Sequence, residues 1–444
     1  MNIKGTTKDF PTTWTNSLIG DVAEFVRGVT YQKSDARNQA EEGYIPLIRA
    51  TNIGNESITY DEFVFVPRNV VKSEQLIRVN DMILAASSGS ISVVGKSAPV
   101  LKDFEATFGA FCAVLRPKNE VLPGFFRLFV QSPTVRETWS NLARGTNINN
   151  LKREQVLSTG MPIAPLLEQQ KIVEILEEQL SRLDAALAAV HAVREKSARF
   201  RRSLLHAAFT GALTGHDTSD GTFPEGWNKR LLKECLEKLK SGKYVERGWS
   251  PQCLSHPAEN SWGVLKTTSV QMGNYLPEYN KELPKTLEPK IGLEVNDGDF
   301  LVTTTGPRNR CGVVCHVKTT PKKLIFSGKI LRFRADENLV LAPWVMYLLM
   351  SPDYQKVLDQ LKVGTSDSSV SIGNQQILDL DIPVASIDEQ KRIVEILEEQ
   401  FSRMDAALAV ADVIEKKASA LRRSLLHAAF NGNLTKEWRE GAHV

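Results

Sequence analysis

The apolar positions of this chain alternate between two spacings. From Ile172 to Arg202 there is neither Gly nor Pro, and Ala, Leu, Glu and Arg dominate, which predicts a helix. Within it Leu176, Leu180, Leu183, Leu187 and Val190 step by four, three, four and three, the a/d seam of a coiled coil. Leu397, Phe401, Met404, Leu408 and Ala411 repeat those steps. Each seam then reads as slipping by a second three-residue step, through Val193, Ser197, Phe200 and Leu204 and through Ile414, Ala418, Leu421 and Leu425. Such a stammer overwinds a coiled coil locally. Gly211 and Gly432 mark the expected helix ends, and Arg201, Arg202, Arg422 and Arg423 suit the negative C-terminal poles. About 40 residues at roughly 1.5 Å each predict rods of about 60 Å.

Elsewhere the pattern shortens. Residues 44–116 are rich in β-branched side chains punctuated by Gly, Pro and Asn, and residues 262–334 repeat the style. Both predict mixed, mostly β globules. A short helix is expected around Phe125–Leu142 in the first and around Trp344–Leu361 in the second.

The helical segment is written twice. Glu168–Thr214 and Glu389–Thr435 share 30 of 47 positions at a constant offset of 221, without a gap. The globules are diverged repeats as well. The FPTTW of Phe10–Trp14 pairs with the FPEGW of Phe223–Trp227, and Ser132-Pro133 with Ser351-Pro352. Gly145-Thr146 pairs with Gly364-Thr365, and Met161-Pro162-Ile163 with Ile382-Pro383-Val384. The expected fold is α+β. Two mixed, mostly β domains, 1–165 and 215–385, alternate with helical segments 166–214 and 386–435, and a tail, 436–444, follows. If the two seams pair, the helices run antiparallel, the globules lie at opposite ends, and the whole has a pseudo-two-fold axis. Duplex DNA has local two-fold axes too, and two half-sites about one turn apart lie on one face.

Near-identity extends to the outside of the helices. Glu174, Glu178 and Arg182 recur as Glu395, Glu399 and Arg403. Core packing tolerates many volume-conserving swaps, so repeated exterior residues suggest a face that docks two copies of one partner. The plainer reading is a coiled coil that only ties the chain together or dimerises it.

Charge adds little. The net charge is +3, with +2 in residues 1–165, +3 in 222–385 and −1 in each helical segment with its flanks. The excess positive charge sits in the globules, where DNA affinity would need a localised cationic face. No apolar run approaches the roughly 20 residues that span a bilayer, and the N-terminus lacks a secretory h-region. Five sparse cysteines argue for a reducing compartment, and a cytoplasmic location is expected.

Catalytic motifs are few. Gly89 to Ser97 resembles a phosphate loop, but five residues separate its glycines where four are needed. Cys311, Cys315 and His316 have no second ligand pair at zinc-site spacing and read better as buried strand residues. His206 and His427 recur in RRSLLHAAF, where helix packing explains them better than catalysis. No catalytic or metal-binding residue is assigned.

Candidate base readers are polar residues on loops beside Arg or Lys. In the first globule these are Arg27, Tyr31, Arg49, Asn52, Ser88, Lys96, Arg144, Asn147 and Asn149. In the second they are Lys243, Tyr244, Arg247, Lys266, Thr268, Gln271, Arg308, Asn309, Arg310 and Thr365. Arg suits guanine, and Asn or Gln suits adenine, in the major groove.

Together these features resemble the specificity subunits of type I restriction–modification enzymes, across essentially the whole chain. The resemblance is carried by Met161-Pro-Ile with Glu168-Gln169, Ile382-Pro-Val with Glu389-Gln390, and the tails RRSLLHAAFTGALT and RRSLLHAAFNGNLT. The first globule looks like a target-recognition domain of the enteric branch, and the second is more divergent. The resemblance implies a non-catalytic subunit that reads a bipartite site in double-stranded DNA. It implies two modification subunits, which bind S-adenosylmethionine and methylate adenine, and two restriction subunits, which use ATP and Mg. It implies no cofactor on this chain and no membrane partner. The alternatives are a non-catalytic coiled-coil scaffold and a self-sufficient methyltransferase or nuclease.

Overall fold

A computed structural model describes residues 10–54, 57–144, 149–216 and 224–441. The chain forms two compact units, Met1–Val190 with Asp412–Val444, and His191–Ala411. These units cut across the helical segments that the sequence delimits. Each takes one globule, half of the first long helix (Leu166–Thr210) and half of the second (Ile387–Phe430).

The first unit contains β1 (Thr15–Leu18), β2 (Ala23–Arg27), β3 (Tyr44–Ile48), β4 (Val64–Pro67), β5 (Met82–Ala85), β6 (Ser87–Ser88), β7 (Ser97–Pro99), β8 (Thr107–Phe108), β9 (Cys112–Pro117), β10 (Asn149–Asn150) and β11 (Gly160–Ile163). They form a four-stranded sheet β2-β9-β5-β7, a three-stranded sheet β4-β3-β8, and the pairs β1–β11 and β6–β10. Strand β5 shows what holds these layers. Met82 and Leu84 face the cluster that includes Phe125 and Trp139, while Ile83 and Ala85 face a second cluster around Ile48 and Phe108. Successive strand side chains point to opposite faces, so the four buried residues bind both layers.

The second unit repeats the plan with β12 (Asn228–Leu231), β13 (Glu246–Arg247), β14 (Gly263–Leu265), β15 (Val270–Gln271), β16 (Asn274–Tyr275), β17 (Asn280–Glu282), β18 (Phe300–Thr303), β19 (Thr305–Gly306), β20 (Val314–His316), β21 (Leu324–Phe326), β22 (Ile330–Phe333), β23 (Val363–Ser366), β24 (Ser369–Ser371) and β25 (Asp381–Val384). Its sheets run β13-β22-β18-β20 and β17-β14-β21, with β12–β25 closing the globule. The parallel pair β3–β8 has its twin in β14–β21. Phe300 and Val302 of β18 face the helical side and Leu301 the other, as in β5.

Each of the two stretches expected to form a single helix, 125–142 and 344–361, holds parts of two. Pro123–Val130 is followed by Pro133–Leu142, and Ala342–Met350 by Pro352–Gln360. Proline lacks the N–H that would continue the first helix. Ser132 and Ser351 start the next one by accepting from the amides of Val135 and Tyr354, each at 3.4 Å.

The long helices correct the expected stammer. Buried and half-buried positions run on through Leu176, Leu180, Leu183, Leu187, Val190, Arg194, Ser197, Arg201, Leu204 and Ala208. In the second helix they are Leu397, Phe401, Met404, Leu408, Ala411, Glu415, Ala418, Arg422, Leu425 and Ala429. Four-three spacing never breaks. Val193, Phe200, Ile414 and Leu421, taken for seam positions, are 40 to 48% exposed. Long polar side chains occupy the seam instead, their stems covering apolar surface. Arg201 lies 4.6 Å from the Phe401 ring and pairs with Asp405 at 2.6 Å.

Candidate nucleic-acid interface

Within each unit the globule is locked to both long helices by one repeated junction. In the first, the buried Glu168 carboxylate accepts from Trp14 Nε1 at 2.9 Å, from Thr435 Oγ1 at 2.6 Å and from Arg439. The next residue, Gln169, accepts from the Leu122 amide at 2.8 Å and donates to the Ala164 carbonyl at 2.8 Å. Glu168 meets Thr435 and Asp184 pairs with Arg422, so the numbering rises along one helix half as it falls along the other and the two run antiparallel here. In the second unit Glu389 accepts from Trp227 Nε1 at 2.9 Å and Thr214 Oγ1 at 3.0 Å, and contacts His216 Nε2 at 2.9 Å. Gln390 holds Leu341 and Ala385 as Gln169 holds Leu122 and Ala164. Burial pushes the Glu389 carboxyl up, but the bonds from His216, Trp227 and Thr214 outweigh it and hold it below its ordinary value.

The candidate base readers lie on other segments of each unit. In the first unit Ser88 sits on β6, where its hydroxyl accepts from the Ser90 amide at 3.2 Å. Asn149 on β10 donates to the carbonyls of Ser88 and Gly89 at 3.5 and 3.3 Å. Ser87 and Asn150 close the same ribbon with a 2.5 Å bond. Arg144 is exposed at the end of the preceding helix, and Asn147 lies outside the described residues. Lys96 is half-buried in the turn that follows this loop, and Arg27 is exposed at the end of β2. Tyr31 packs on the small cluster of Val29, Ile45 and Val66. Arg49 donates to the Glu62 carbonyl at 3.1 Å.

In the second unit Arg308 follows β19 and Thr365 lies on β23, the two outer strands of the sheet β19-β24-β23; the Arg308 amide donates to the Asp367 carbonyl in the turn between β23 and β24, and Asn309 is exposed beside it. Lys243 and Thr268 are exposed. Lys238 Nζ lies over Tyr244 at 5.8 Å, and Lys266 over Tyr279 at 5.7 Å.

Four candidates are corrected by their own bonds. Asn52 is 3% exposed and gives its amide to the carbonyls of Thr59 and Asp61, so it shapes a turn and cannot meet a base. Arg247 donates to Asn374 Oδ1, Thr304 Oγ1 and the Ile372 carbonyl, at 2.7, 2.9 and 3.0 Å. Arg310 donates to Gln271 Oε1 and to the carbonyls of Thr267 and Val270, at 3.0, 2.8 and 2.7 Å. Gln271 also spends its amide nitrogen on the Thr268 carbonyl. Both arginines and Gln271 therefore tie loops together.

Other sequence features resolve simply. Cys311 and Cys315 are buried, and burial pushes the Cys315 thiol up to about 12. Among the described residues no group of three His, Cys, Asp or Glu is placed to hold a metal, and no helix is long and apolar enough to cross a membrane. His206 does not pack inward. It is exposed and meets Asp353 at 2.7 Å. The repeated exterior residues Glu174, Glu178, Arg182, Glu395, Glu399 and Arg403 are exposed. Arg182–Glu178 and Arg403–Glu399 form the same 2.6 Å pair in both copies.

Two globules of one plan, each clamped to a pair of antiparallel helix halves and each with its own polar loops, define a tandem-repeat protein with a constant frame and two variable surfaces. The chain belongs to the specificity subunits of type I restriction enzymes. The family model for the type I restriction modification DNA specificity domain matches residues 11–189. The chain is 32% identical to the EcoKI specificity subunit of Escherichia coli K12, over 97% of this chain and 91% of that one. It is 31% identical to the StySPI specificity subunit of Salmonella potsdam, over the same shares. Its fold is similar to a chain of a type I R-M system (TM-score 0.66, 17% identity, 96% of this chain and 100% of that one). It is also similar to the HsdS subunit of Thermoanaerobacter tengcongensis (TM-score 0.52, 19% identity, 96% and 98%).

Proposed function

We propose that each globular unit reads one half of a bipartite site in duplex DNA, and that the long helices set the unread spacer between the halves. The repeated outer face, with Glu174, Glu178 and Arg182 and their twins Glu395, Glu399 and Arg403, docks two modification subunits, and two restriction subunits complete the assembly. On this reading the chain works in the cytoplasm and carries no active site or cofactor. S-adenosylmethionine belongs to the modification subunits, and ATP and Mg to the restriction subunits.

One observation carries this reading. The junctions around Glu168 and Glu389 share their Trp, Thr and Gln contacts and differ in one partner, whereas the loops they hold differ throughout in chemistry. The first unit offers Ser88 and Asn149, and the second offers Arg308, Asn309 and Thr365. A frame kept constant around variable polar surfaces suits recognition of two different half-sites.

The test is a selection from random duplexes, using the chain assembled with its modification subunit. Two short blocks separated by a fixed number of unread bases are expected. A bound pool without sequence preference would leave the scaffold reading. Methyl transfer by the chain alone would establish the enzyme reading.

A further inference from the structure

The hairpin β23–β24 is packed only through its inner strand: β24 pairs with β19 and buries Val370, whereas among the described residues β23 packs against nothing on its outer side. Every residue from Val363 to Ser369 is exposed, and within the hairpin's two strands only Val370 is buried. Strand β23 and the turn after it form an edge rich in Ser, Thr, Gly and Asp, which native sheets ordinarily shorten or cover. Its backbone is nevertheless specified. The register shifts between Val363 and Ser366, and a Cβ on Gly364 would sit 2.4 Å from the Ser369 carbonyl oxygen. A bulge that only glycine admits is a device for aiming a strand.

It aims at Arg308. The Arg308 amide donates to the Asp367 carbonyl at 2.8 Å, so the hairpin tip is tied to the loop that carries this arginine. Lys362, at the hairpin's root, donates to the Arg308 carbonyl at 2.9 Å and to Asp359 at 2.8 Å. That bond to Lys362, more than Arg308 itself, holds the Asp359 carboxyl below its ordinary value. With Asp359 answered by Lys362, the Arg308 guanidinium keeps only loose pairs. It lies 3.7 Å from Asp359 and 3.5 Å from Asp367, whose side chain is 87% exposed. Exposed pairs of this kind contribute little to stability, so the guanidinium is preplaced yet releasable. This contrasts with Arg247 and Arg310, whose guanidinium groups each make three hydrogen bonds inside the protein.

We infer that Arg308 is the base-reading cation of the second unit, presented beside the tip of the β23–β24 hairpin, with Asp367 as its resting partner. This rests on the reading that the second unit binds duplex DNA. A two-stranded ribbon fits the major groove, and Arg there pairs bidentately with guanine O6 and N7. Asp367 has a second effect. Near phosphates its charge is repulsive, so it discourages the unit from settling on DNA where no base edge takes over Arg308.

The test repeats the random-duplex selection with Arg308→Ala, Arg308→Lys and Asp367→Asn, each in the full chain assembled with its modification subunit. Arg308→Ala should flatten one position of one half-site, with a loss of roughly 5- to 100-fold in discrimination there. The other half-site is the folding control and should be unchanged. Arg308→Lys keeps the charge but not the planar fork, and should flatten the same position. Asp367→Asn should raise binding to non-cognate duplex several-fold. An intact motif in both Arg308 variants, or equal weakening on every sequence, overturns the assignment to a base, and weaker non-cognate binding by Asp367→Asn overturns its role. If the wild-type chain selects no bipartite motif, the functional reading fails before this inference is reached.

Discussion

Trp14 donates its indole N–H to Glu168, 154 residues along the chain, at 2.9 Å. Trp227 makes the same bond to Glu389 at the same distance. The two carboxylates differ in their third partner, Arg439 for Glu168 and His216 for Glu389. Their burial differs too, with side chains 2% and 20% exposed. Removing one member of a buried, hydrogen-bonded charge pair strands the other and costs about 3–5 kcal/mol. A partly solvated acceptor costs about 1–3 kcal/mol. Glu168→Ala should therefore destabilise the first unit more than Glu389→Ala destabilises the second. Denaturant melts followed by hydrogen exchange in each unit's core would read this, and equal losses would contradict it.

The Glu389 junction should also respond to acid. Its carboxyl is held below its ordinary value in the folded chain, so the ionised form is the one the fold stabilises. That contribution is complete above the ordinary value and is lost as pH falls through the lowered one. Wild-type chain should melt higher than Glu389→Gln near neutrality, and the gap should close progressively below about pH 4.5. A gap that stays constant from neutral to acid pH would sink this account.

Much of the fold was legible in the sequence because repeats expose it. The paired FPTTW and FPEGW, the Glu-Gln pairs and the two helix tails were all visible as twins. Their meeting was not, because nothing local links Trp14 to Glu168 or Glu168 to Thr435. The seam misled for a physical reason. Apolar periodicity pointed to Val193, Phe200, Ile414 and Leu421, whereas the buried row runs through Arg201 and Arg422, which pair with Asp405 and Asp184. Base readers were the least legible. Residue type marks an arginine as able to read guanine, but only its bonds distinguish Arg247, tied to three internal acceptors, from Arg308.

The helix ends admit a direct comparison of strain with clash. Gly211 and Gly432 have φ of 86 and 81°, and a Cβ there would meet Pro224 Cγ at 2.2 Å and Pro11 Cγ at 2.5 Å. Gly215 has φ of 86°, and among the described residues nothing lies within 4 Å of a Cβ placed there. Gly215→Ala should cost only the left-handed backbone penalty, about 1–2 kcal/mol. Gly211→Ala and Gly432→Ala should cost clearly more, because Pro224 and Pro11 must also move. Equal melting temperatures for the Gly211 and Gly215 variants would show that the proline contact is soft.

The ruler reading makes the most exposed prediction. Seven residues inserted after Ala188, with seven more after Ala418, keep the heptad seam in phase. These two positions are level with each other by the register that pairs Asp184 with Arg422. The insertion lengthens each helix by roughly 10 Å, which corresponds to about three base pairs of duplex. The readers keep their orientation, since a whole heptad leaves the buried face where it was. The DNA does not, because three base pairs turn the second half-site by roughly 100° at 10–10.5 base pairs per turn. The selected site should thus keep both half-site sequences and gain a longer spacer, while affinity falls by the torsional cost of bringing the second half-site back into reach. A change in either half-site sequence would mean that the helices contribute to base recognition, and an unchanged spacer would mean that they do not set its length.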